Sequence, residues 1–315
     1  MSIHEERKNG EGPQQRSGLV SFVGRPNAGK STLMNALVGQ KVAITSSRPQ
    51  TTRHTIRGIV HRNEGQLIIV DTPGFHRPRT LLGQRLNDLV QATWAEVDAV
   101  GLCLPANEPT GPGDRFIAGK LAQLGCPVVA VVTKTDLVVR DALAHKLMDV
   151  VALGEQSGLE WADVVPVSAV SGENRDTIAE VLLAMMPPSP PLYPDGELTD
   201  QPEAVLVAEL IREAALEEFH AELPHSIAVV IEEMAAREDR PEDRPLTDVF
   251  ASLYVERDSQ RPIILGHRGS RLKGIGSRSR TQIEALLGTP IFLDLRVKVA
   301  KDWQRNPKQM RKLGF

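Results

Sequence analysis

The chain has 315 residues, of which 41% are hydrophobic and 24% charged, and its formal net charge is -3. This composition is ordinary for a folded protein and excludes disorder over most of the chain, while the length suggests about two domains. The near-neutral total also excludes a protein that binds nucleic acid through its whole surface, although one basic face could still do so.

Residues 1–16 are predicted to form a flexible polar tail, because they lack the apolar core of a secretory signal. No later stretch reaches the roughly eighteen apolar residues that a membrane span needs. Cys103 and Cys126 lie in or beside apolar runs without the C-x-x-C spacing, which indicates buried thiols in a reducing compartment. A cytoplasmic protein is therefore expected, and peripheral membrane contact stays open.

Residues 17–187 alternate between short apolar runs and segments with helical periodicity. The runs are rich in Val and Ile, as in the buried strands of an α/β sheet. An Asn-Glu-Gly turn joins two runs in IVHRNEGQLIIV, which predicts an antiparallel hairpin. The expected fold is an α/β domain whose sheet is mostly parallel with one antiparallel strand.

The first chemical motif is GRPNAGKS, residues 24–31, which fits GxxxxGK[ST] between a predicted strand and a predicted helix. Backbone N–H groups of such a loop surround anionic oxygens, Lys30 reaches the terminal phosphates, and the Ser31 hydroxyl can ligate Mg²⁺. A glycine turn without a ligand is the alternative, and the strand–loop–helix context argues against it. The predicted phosphate-binding residues are Asn27, Ala28, Gly29, Lys30, Ser31 and Thr32.

The polar segment SSRPQTTRHT follows, and it contains no glycine. Such a segment suits a switch loop in which one threonine is held on Mg²⁺ when the γ-phosphate is present. Thr52 is the candidate for this role, with Thr51 second. A solvated connection without a functional role is the alternative.

The second motif is DTPG, residues 71–74, directly after an apolar run. Asp71 can hold the metal through water, and Gly74 can bring its N–H close to the γ-phosphate. Many P-loop GTPases place next a glutamine that orients the attacking water, but Phe75 stands here and cannot hydrogen-bond a water. Slow turnover is therefore expected. The predicted catalytic groups are Lys30, Thr52 and Gly74.

Two further motifs predict a guanine site at the ends of later strands. In TKTD, residues 133–136, Asp136 can accept two hydrogen bonds from guanine N1–H and N2–H₂, which adenine does not offer. Lys134 can lay its aliphatic stem along the base. In SAV, the Ser168–Ala169 backbone could donate an N–H to the base O6. GTP is therefore the expected nucleotide.

Residues 188–202 fall in a segment with six prolines, MMPPSPPLYPDGELTDQPE. Proline fixes φ and removes an N–H donor, which predicts a semi-rigid linker between two domains. Residues 203–315 then form an expected α+β domain. An acidic helix and two strands come first. PIILGHRGSRLKGIG is predicted as a strand running into a loop and helix, and IFLDLRVKV as a half-exposed strand.

A GxxG sequence in that stretch is the main functional signal of the second domain. In KH modules such a loop clamps nucleotide phosphates with its bare backbone, and neighbouring cations add charge. A lone GxxG is weak, and a tight turn is its default interpretation. The apolar segment before it and the basic helix after it favour a KH-like RNA-binding domain. The predicted RNA-binding residues are Gly266, His267, Arg268, Gly269, Arg271 and Lys273.

The four nucleotide motifs, in this order, resemble the P-loop, DxxG, NKxD and SAK boxes of GTPases. With the linker and the GxxG domain, residues 17 to 313 resemble the Era-like family of GTPases. The segments that carry the resemblance are GRPNAGKSTLMNALVGQKVAITS, QTTRH, DTPGFH, ELPHSIAV and ILGHRGSRLKGIG.

The resemblance implies GTP hydrolysis coupled to binding of the 3′ end of small-subunit ribosomal RNA. It also implies a role in assembly of the 30S particle and peripheral association with the inner face of the cell membrane. A monomer is expected. One departure from the family is Thr133, where the NKxD box has asparagine. The polar N-terminal extension is another.

Potassium is a further expectation. The resemblance extends to GTPases with a hydrophobic residue after DxxG, many of which use K⁺ or a partner protein. In the relatives that use K⁺, a P-loop asparagine helps hold the ion, and Asn27 occupies the matching position. Two alternative functions stay open. One is a GTP-binding module without turnover, and the other is a GTPase whose second domain docks protein or membrane.

Overall fold

The computed structural model describes residues 15–45, 51–53, 55–74, 80–219, 226–238, 240–241 and 243–315. The first of two sheets has six strands in the order β2-β3-β1-β4-β5-β6. These strands are β1 Arg16–Val23, β2 Ile56–Arg62, β3 Gly65–Asp71, β4 Ala99–Pro105, β5 Val128–Thr133 and β6 Asp163–Pro166.

The pairing of these strands confirms a mostly parallel sheet with one antiparallel member. Strand β2 pairs antiparallel with β3 through the short hairpin turn that the sequence predicts. The other four pairings are parallel. Because parallel strands end at the same edge of a sheet, β1, β3 and β5 deliver the three nucleotide motifs that follow them to one place.

Helices cover both faces of this sheet, which explains why β4 and β5 are buried along their whole length. One core lies against α1 and α5, and the other lies against α2, α3 and α4. Cys103 belongs to the first core, and Cys126 is half-buried beside the second. The helices are α1 Lys30–Val38, α2 Leu81–Trp94, α3 Pro112–Leu121, α4 Arg140–Ser157 and α5 Arg175–Ala184.

The proline-rich segment runs along the open edge of the sheet. The Ile59 N–H of β2 donates to the Leu198 carbonyl at 2.9 Å, and Gln66 Oε1 accepts from the N–H groups of Leu192 and Tyr193. The bond to Ile59 covers part of an edge strand that would otherwise expose unpaired donors and acceptors, and the bonds to Gln66 anchor the segment to β3. At the other end of the domain, β1 begins at Arg16, inside the segment predicted as a tail. Residues 1–14 lie outside the described part.

The second domain has a sheet of three strands in the order β7-β8-β9. Strands β7 and β8 are antiparallel, and β8 and β9 are parallel. One face of the sheet carries α6 and α8 over a common apolar core. The elements are α6 Glu203–Glu218, β7 Ala228–Ala236, β8 Thr247–Val255, α7 Arg261–Leu265, α8 Ser270–Leu287, β9 Ile291–Val299 and α9 Pro307–Lys312.

The prediction of a strand over the PIIL stretch is wrong, because these residues form helix α7. Pro262 stands in the first turn of that helix, where its missing N–H has no intrahelical partner in any case. Ile264 then points into the core and is fully buried. Among the helices of the described residues, none is both long and apolar enough to cross a membrane.

Candidate nucleotide site and nucleic-acid interface

The loop between β1 and α1 forms the floor of a cavity of about 470 Å³. Its backbone needs unusual conformations, with φ of 149° at Gly24, 62° at Asn27 and 88° at Gly29. A Cβ at Gly24 would also lie 2.7 Å from the Cys103 carbonyl oxygen. The predicted phosphate-binding residues that line the cavity are Asn27, Ala28, Gly29, Lys30, Ser31 and Thr32.

Lys30 is enclosed by this loop, with 6% of its surface exposed. Its ammonium donates to the carbonyl oxygens of Gly24 at 3.3 Å and Arg25 at 3.1 Å. Burial lowers the pKa of Lys30, and the nearby Asp71 carboxylate opposes that effect. Both of these hydrogen-bond partners are neutral carbonyl groups. An anionic ligand in the cavity would give the buried ammonium a partner of opposite charge.

Three oxygen-bearing side chains from separate segments converge beside Lys30. The Ser31 hydroxyl donates to Asp71 Oδ2 at 2.6 Å, and the Thr52 hydroxyl lies 3.2 Å from that of Ser31 and 3.3 Å from Asp71 Oδ2. Burial raises the pKa of Asp71, and its Oδ1 atom has no hydrogen-bond partner among the described residues. Oxygen donors around a buried carboxylate fit Mg²⁺, which prefers such ligands.

Gly74 also lines the cavity, beside Pro26 of the P-loop. A Cβ built on it would lie 3.2 Å from the Pro26 nitrogen, so a side chain there would crowd the loop. The position of Gly74 therefore suits a close approach of its backbone to a bound phosphate. The neighbouring Phe75, on which the expectation of slow turnover depends, lies outside the described residues.

The TKTD motif lies at the end of β5, behind the P-loop. The Thr133 hydroxyl donates to the Ala28 carbonyl at 2.7 Å, which ties this strand end to the P-loop. Lys134 has φ of 59° and lines the cavity. The departure from asparagine at 133 therefore keeps a polar bridge to the loop, formed by a hydroxyl in place of an amide.

Asp136 is held beside the SAV motif, where its Oδ1 accepts a hydrogen bond of 2.6 Å from the Ser168 hydroxyl. The Ser171 N–H donates to the same Ser168 oxygen at 3.0 Å. As far as the described residues show, Asp136, Ser168 and Ala169 lie outside the lining of the cavity that holds the P-loop. The fold thus brings Asp136 of TKTD beside SAV, while Thr133 and Lys134 of the same motif lie at the P-loop cavity.

Replacing Asp136 with Asn should move nucleotide preference from guanosine toward xanthosine compounds. The carboxylate would accept two charge-assisted hydrogen bonds from guanine, each worth about 1.5–3 kcal/mol, so guanosine affinity should fall at least tenfold. Competition titrations with GDP and XDP measure the change. Asp141→Asn is the control, because Asp141 is an exposed carboxylate on α4. An unchanged preference would remove the role given to Asp136.

Glu108 is a cavity residue that sequence reasoning missed. Its carboxylate lies 3.2 Å from the Arg25 guanidinium and 3.6 Å from the Lys134 ammonium. Arg25 is anchored in turn by the buried Asp114 at 2.8 Å. The carboxylate therefore connects the P-loop with the lysine of TKTD. Only its place after β4, at the same sheet edge, could have indicated it.

The GxxG loop connects α7 to α8 through a single 3-10 turn, His267–Gly269. Its φ angles are 69° at Gly266, 49° at Arg268 and 78° at Gly269. A Cβ at Gly266 would lie 2.7 Å from Cγ of Arg271. The loop therefore turns sharply with bare backbone at both ends, and it is flanked by helices on both sides.

A groove of about 440 Å³ runs from this loop between α8 and β9. Gly269 and Lys273 line it on the helix side, and Arg280 extends the positive charge. Phe292 stands on the strand side with 44% of its surface exposed. The strand side also carries Asp294 between two leucines, and its carboxylate is paired with Arg296 at 2.7 Å. Cations on the helix side and apolar side chains on the strand side suit single-stranded RNA, whose phosphates need charge and whose bases need apolar contact. His267, Arg268 and Arg271 lie outside the described lining of the groove.

Comparison with known proteins gives two family models for this chain. One, described as a 50S ribosome-binding GTPase, matches residues 19–134, and a KH domain model matches residues 222–304. The chain is 66% identical to the GTPase Era of Streptomyces coelicolor over 301 residues, 95% of each chain. It is 63% identical to the GTPase Era of a Nocardioides species over 309 residues, 97% of this chain and 99% of the relative.

Two solved structures are also similar over nearly the whole chain. One is a variant of Aquifex aeolicus Era bound to GDP and AlF4-, with a TM-score of 0.88 and 34% identity. The other is Era in complex with MgGDPNP and nucleotides 1506–1542 of 16S ribosomal RNA, with a TM-score of 0.89 and 35% identity. Each match covers 95% of this chain and 99% of the other.

Proposed function

The chain belongs to the Era family of GTPases, and from this premise we propose that it is a GTP-dependent switch for ribosome assembly. Its KH domain binds the 3′-terminal segment of small-subunit ribosomal RNA, and its GTP state controls that binding. One observation carries the proposal. The same chain holds a convergent Lys30–Ser31–Thr52–Asp71 site and a cationic GxxG groove.

The phosphate end of the site is formed by the P-loop, the switch segment and the DTPG motif. Lys30 donates to the terminal phosphates, and the backbone of the loop over residues 27–32 surrounds the phosphate chain. Ser31 and Thr52 hold Mg²⁺ directly, and Asp71 holds it through water. The ion, when bound, neutralises the charge that grows on the phosphates. The Gly74 N–H meets the γ-phosphate and so detects whether it is present.

The base end of the site is assigned to the two later motifs. Asp136 accepts two hydrogen bonds from the guanine edge, and its Oδ1 can accept from the Ser168 hydroxyl at the same time because each carboxylate oxygen has two lone pairs. The stem of Lys134 lies along the base, and the Ala169 backbone donates to O6. Thr133 acts on the P-loop through Ala28. This division gives GTP selectivity to the Asp136 and Ser168 side of the site, beside the cavity, and hydrolysis to the cavity around Lys30.

Potassium is the proposed activator of turnover: Asn27 of the P-loop would hold the ion through its side chain, and the ion would add positive charge beside the phosphates. Asn27 lines the cavity next to the loop that binds the phosphates. Turnover in potassium salt should exceed turnover in sodium salt of equal concentration by about 10²-fold, because one preorganised positive group facing developing charge contributes about that much or more. Phosphate release in the two salts measures this. Equal rates would remove potassium from the site.

The RNA end of the proposal rests on the GxxG groove. Gly266, His267, Arg268 and Gly269 clamp the RNA backbone, and Arg271 and Lys273 neutralise its phosphates. The GTPase domain covers residues 17–187, the linker 188–202 and the KH domain 203–315. The 30S particle is the proposed assembly partner of a monomeric protein. Peripheral association with the inner face of the membrane belongs to the same proposal.

RNA capture tests the function as a whole. The full-length protein is loaded with a non-hydrolysable GTP analogue or with GDP, incubated with lysate and recovered, and its RNA is sequenced. We expect enrichment of the 3′ end of 16S ribosomal RNA, at least severalfold stronger with the GTP analogue. Equal enrichment in both states would remove the switch. Absence of specific RNA in both would make the second domain a protein or membrane adaptor.

A further inference from the structure

Helix α6 of the KH domain contacts the GTPase domain at two points, one just before the switch segment and one within it. The Thr45 N–H donates to Glu213 Oε1 at 2.8 Å. The Thr51 carbonyl accepts a hydrogen bond from the Arg212 guanidinium. Arg212 and Glu213 are adjacent in the helix, although the residues they hold are six positions apart. One turn of α6 thus fixes the chain before and after residues 46–50, which lie outside the described part.

These α6 side chains are buried and tightly paired. Arg212 is 1% exposed and forms a fork on the Glu209 carboxylate, with bonds of 2.8 Å and 2.5 Å. Glu213 is equally buried and pairs with Lys41 of the GTPase domain. A planar arginine held by a carboxylate is a rigid donor, so the Thr51 carbonyl is bound to a fixed point.

Arg53 makes the next contact to the second domain. Its guanidinium donates to the Ile227 carbonyl at 2.6 Å and lies 5.6 Å and 5.9 Å from the rings of Trp303 and Phe315. Those rings stack at 5.2 Å. Burial, with the neighbouring Arg212 guanidinium, lowers the pKa of Arg53 to about 9. A charged side chain is retained in such a place when fixed partners surround it.

Thr52 lies between these two anchored residues. Its own hydroxyl faces Ser31 and Asp71 at the cation site. Consecutive Cα atoms are about 3.8 Å apart, so fixing both neighbours leaves the Thr52 hydroxyl little freedom. Contacts from the second domain therefore help to hold the Thr52 hydroxyl in position at the nucleotide site.

We propose that Arg212 is a positioning residue for GTP binding and hydrolysis, acting from the KH domain through the Thr51 carbonyl on Thr52. This rests on the proposed function, since it assigns Thr52 to the γ-phosphate state. GDP has no γ-phosphate and does not require Thr52, so the contact separates GTP from GDP. By linkage, bound GTP must favour the docked domain as much as docking favours GTP. The contact is thus a specific route by which the two sites communicate.

Nucleotide affinity without RNA tests this directly. The full chain is titrated with a non-hydrolysable GTP analogue and with GDP, both in Mg²⁺. Arg212→Gln should lower the affinity for the GTP analogue about 5- to 50-fold and leave the affinity for GDP within about twofold of the wild-type value. Thr52→Ala should do the same. Because both changes disrupt the same chain of contacts, the double variant should lose little more affinity for the GTP analogue than either single variant.

Two further variants keep the test decisive. Arg212→Lys preserves the charge that Glu209 needs but loses the planar guanidinium whose Nη2 holds Glu209 and reaches Thr51 at once. It should therefore fold and still bind the GTP analogue more weakly. Arg237→Gln is the matched control, because Arg237 pairs with Asp248 inside the KH domain. It should leave both affinities unchanged.

The outcomes separate the inference from the proposed function. A wild-type protein that binds no guanine nucleotide would refute the proposed function. A wild-type protein that binds the GTP analogue, with Arg212→Lys retaining its GTP-to-GDP ratio, would overturn the inference alone. Additive losses in the Thr52 and Arg212 double variant would also overturn it, since the two residues would then act independently.

Discussion

Replacing Lys30 with Ala should lower GTP turnover by a factor of about 10² to 10³ or more, since removing one preorganised donor to developing charge costs about that much. The ammonium is buried in the P-loop, where it donates to the carbonyl oxygens of Gly24 and Arg25, so it is held in place before any phosphate binds. Phosphate release under saturating GTP measures the loss.

The control for this prediction is Lys120→Ala, because Lys120 is an exposed lysine at the end of α3. It should keep the wild-type rate. A Lys30→Ala protein that is folded and retains a third or more of the turnover would contradict the catalytic role. Wild-type release no higher than that of Lys30→Ala would instead indicate a nucleotide-binding module without turnover.

Reversing charge at Arg268 and Lys273 together should reduce affinity for the 3′-terminal segment of 16S ribosomal RNA by about 10²-fold at 0.1 M salt. Each phosphate contact contributes about 0.7 to the salt slope for a single strand, so the slope should fall by roughly 1.4 or more. Arg268 lies in the GxxG turn, and Lys273 faces the groove one turn into α8. Binding titrations at several salt concentrations measure both changes.

The matched control reverses charge at Arg305 and Lys308, two exposed cations of the same domain that lie outside the groove lining. It changes the net charge equally and should weaken RNA binding far less. GTP affinity should stay at the wild-type level in both double variants. If RNA affinity survives in the Arg268 and Lys273 variant, the GxxG groove is not the RNA site. Protein or membrane docking would then be favoured.

The motifs that could be identified from sequence are those whose chemistry depends on a few contiguous residues. A P-loop needs a lysine, a hydroxyl and glycines at fixed spacing, because its ligand is bound mainly by local backbone. The strand pattern was equally readable, since β4 and β5 are buried on both faces and therefore apolar throughout. The antiparallel hairpin followed from its turn.

The sequence pattern gave a wrong prediction where the same short apolar run is compatible with either a strand or a helix. PIIL is a short apolar run, which periodicity alone cannot distinguish from a strand. The proline near its start and the buried Ile264 are equally compatible with the helix α7 that forms there. Glu108 carries no motif, and only the strand order places it between Arg25 and Lys134.

Sequence by itself determined the nucleotide class, the order of the sites and the class of fold, because each depends on local residue types and spacing. Tertiary structure alone decided which residues connect the sites. Arg212 meets Thr51, and Arg53 meets Ile227 and Trp303, across separations of more than 160 residues. No periodicity encodes such pairs, since they form only when two independently patterned domains dock and bury their charges together.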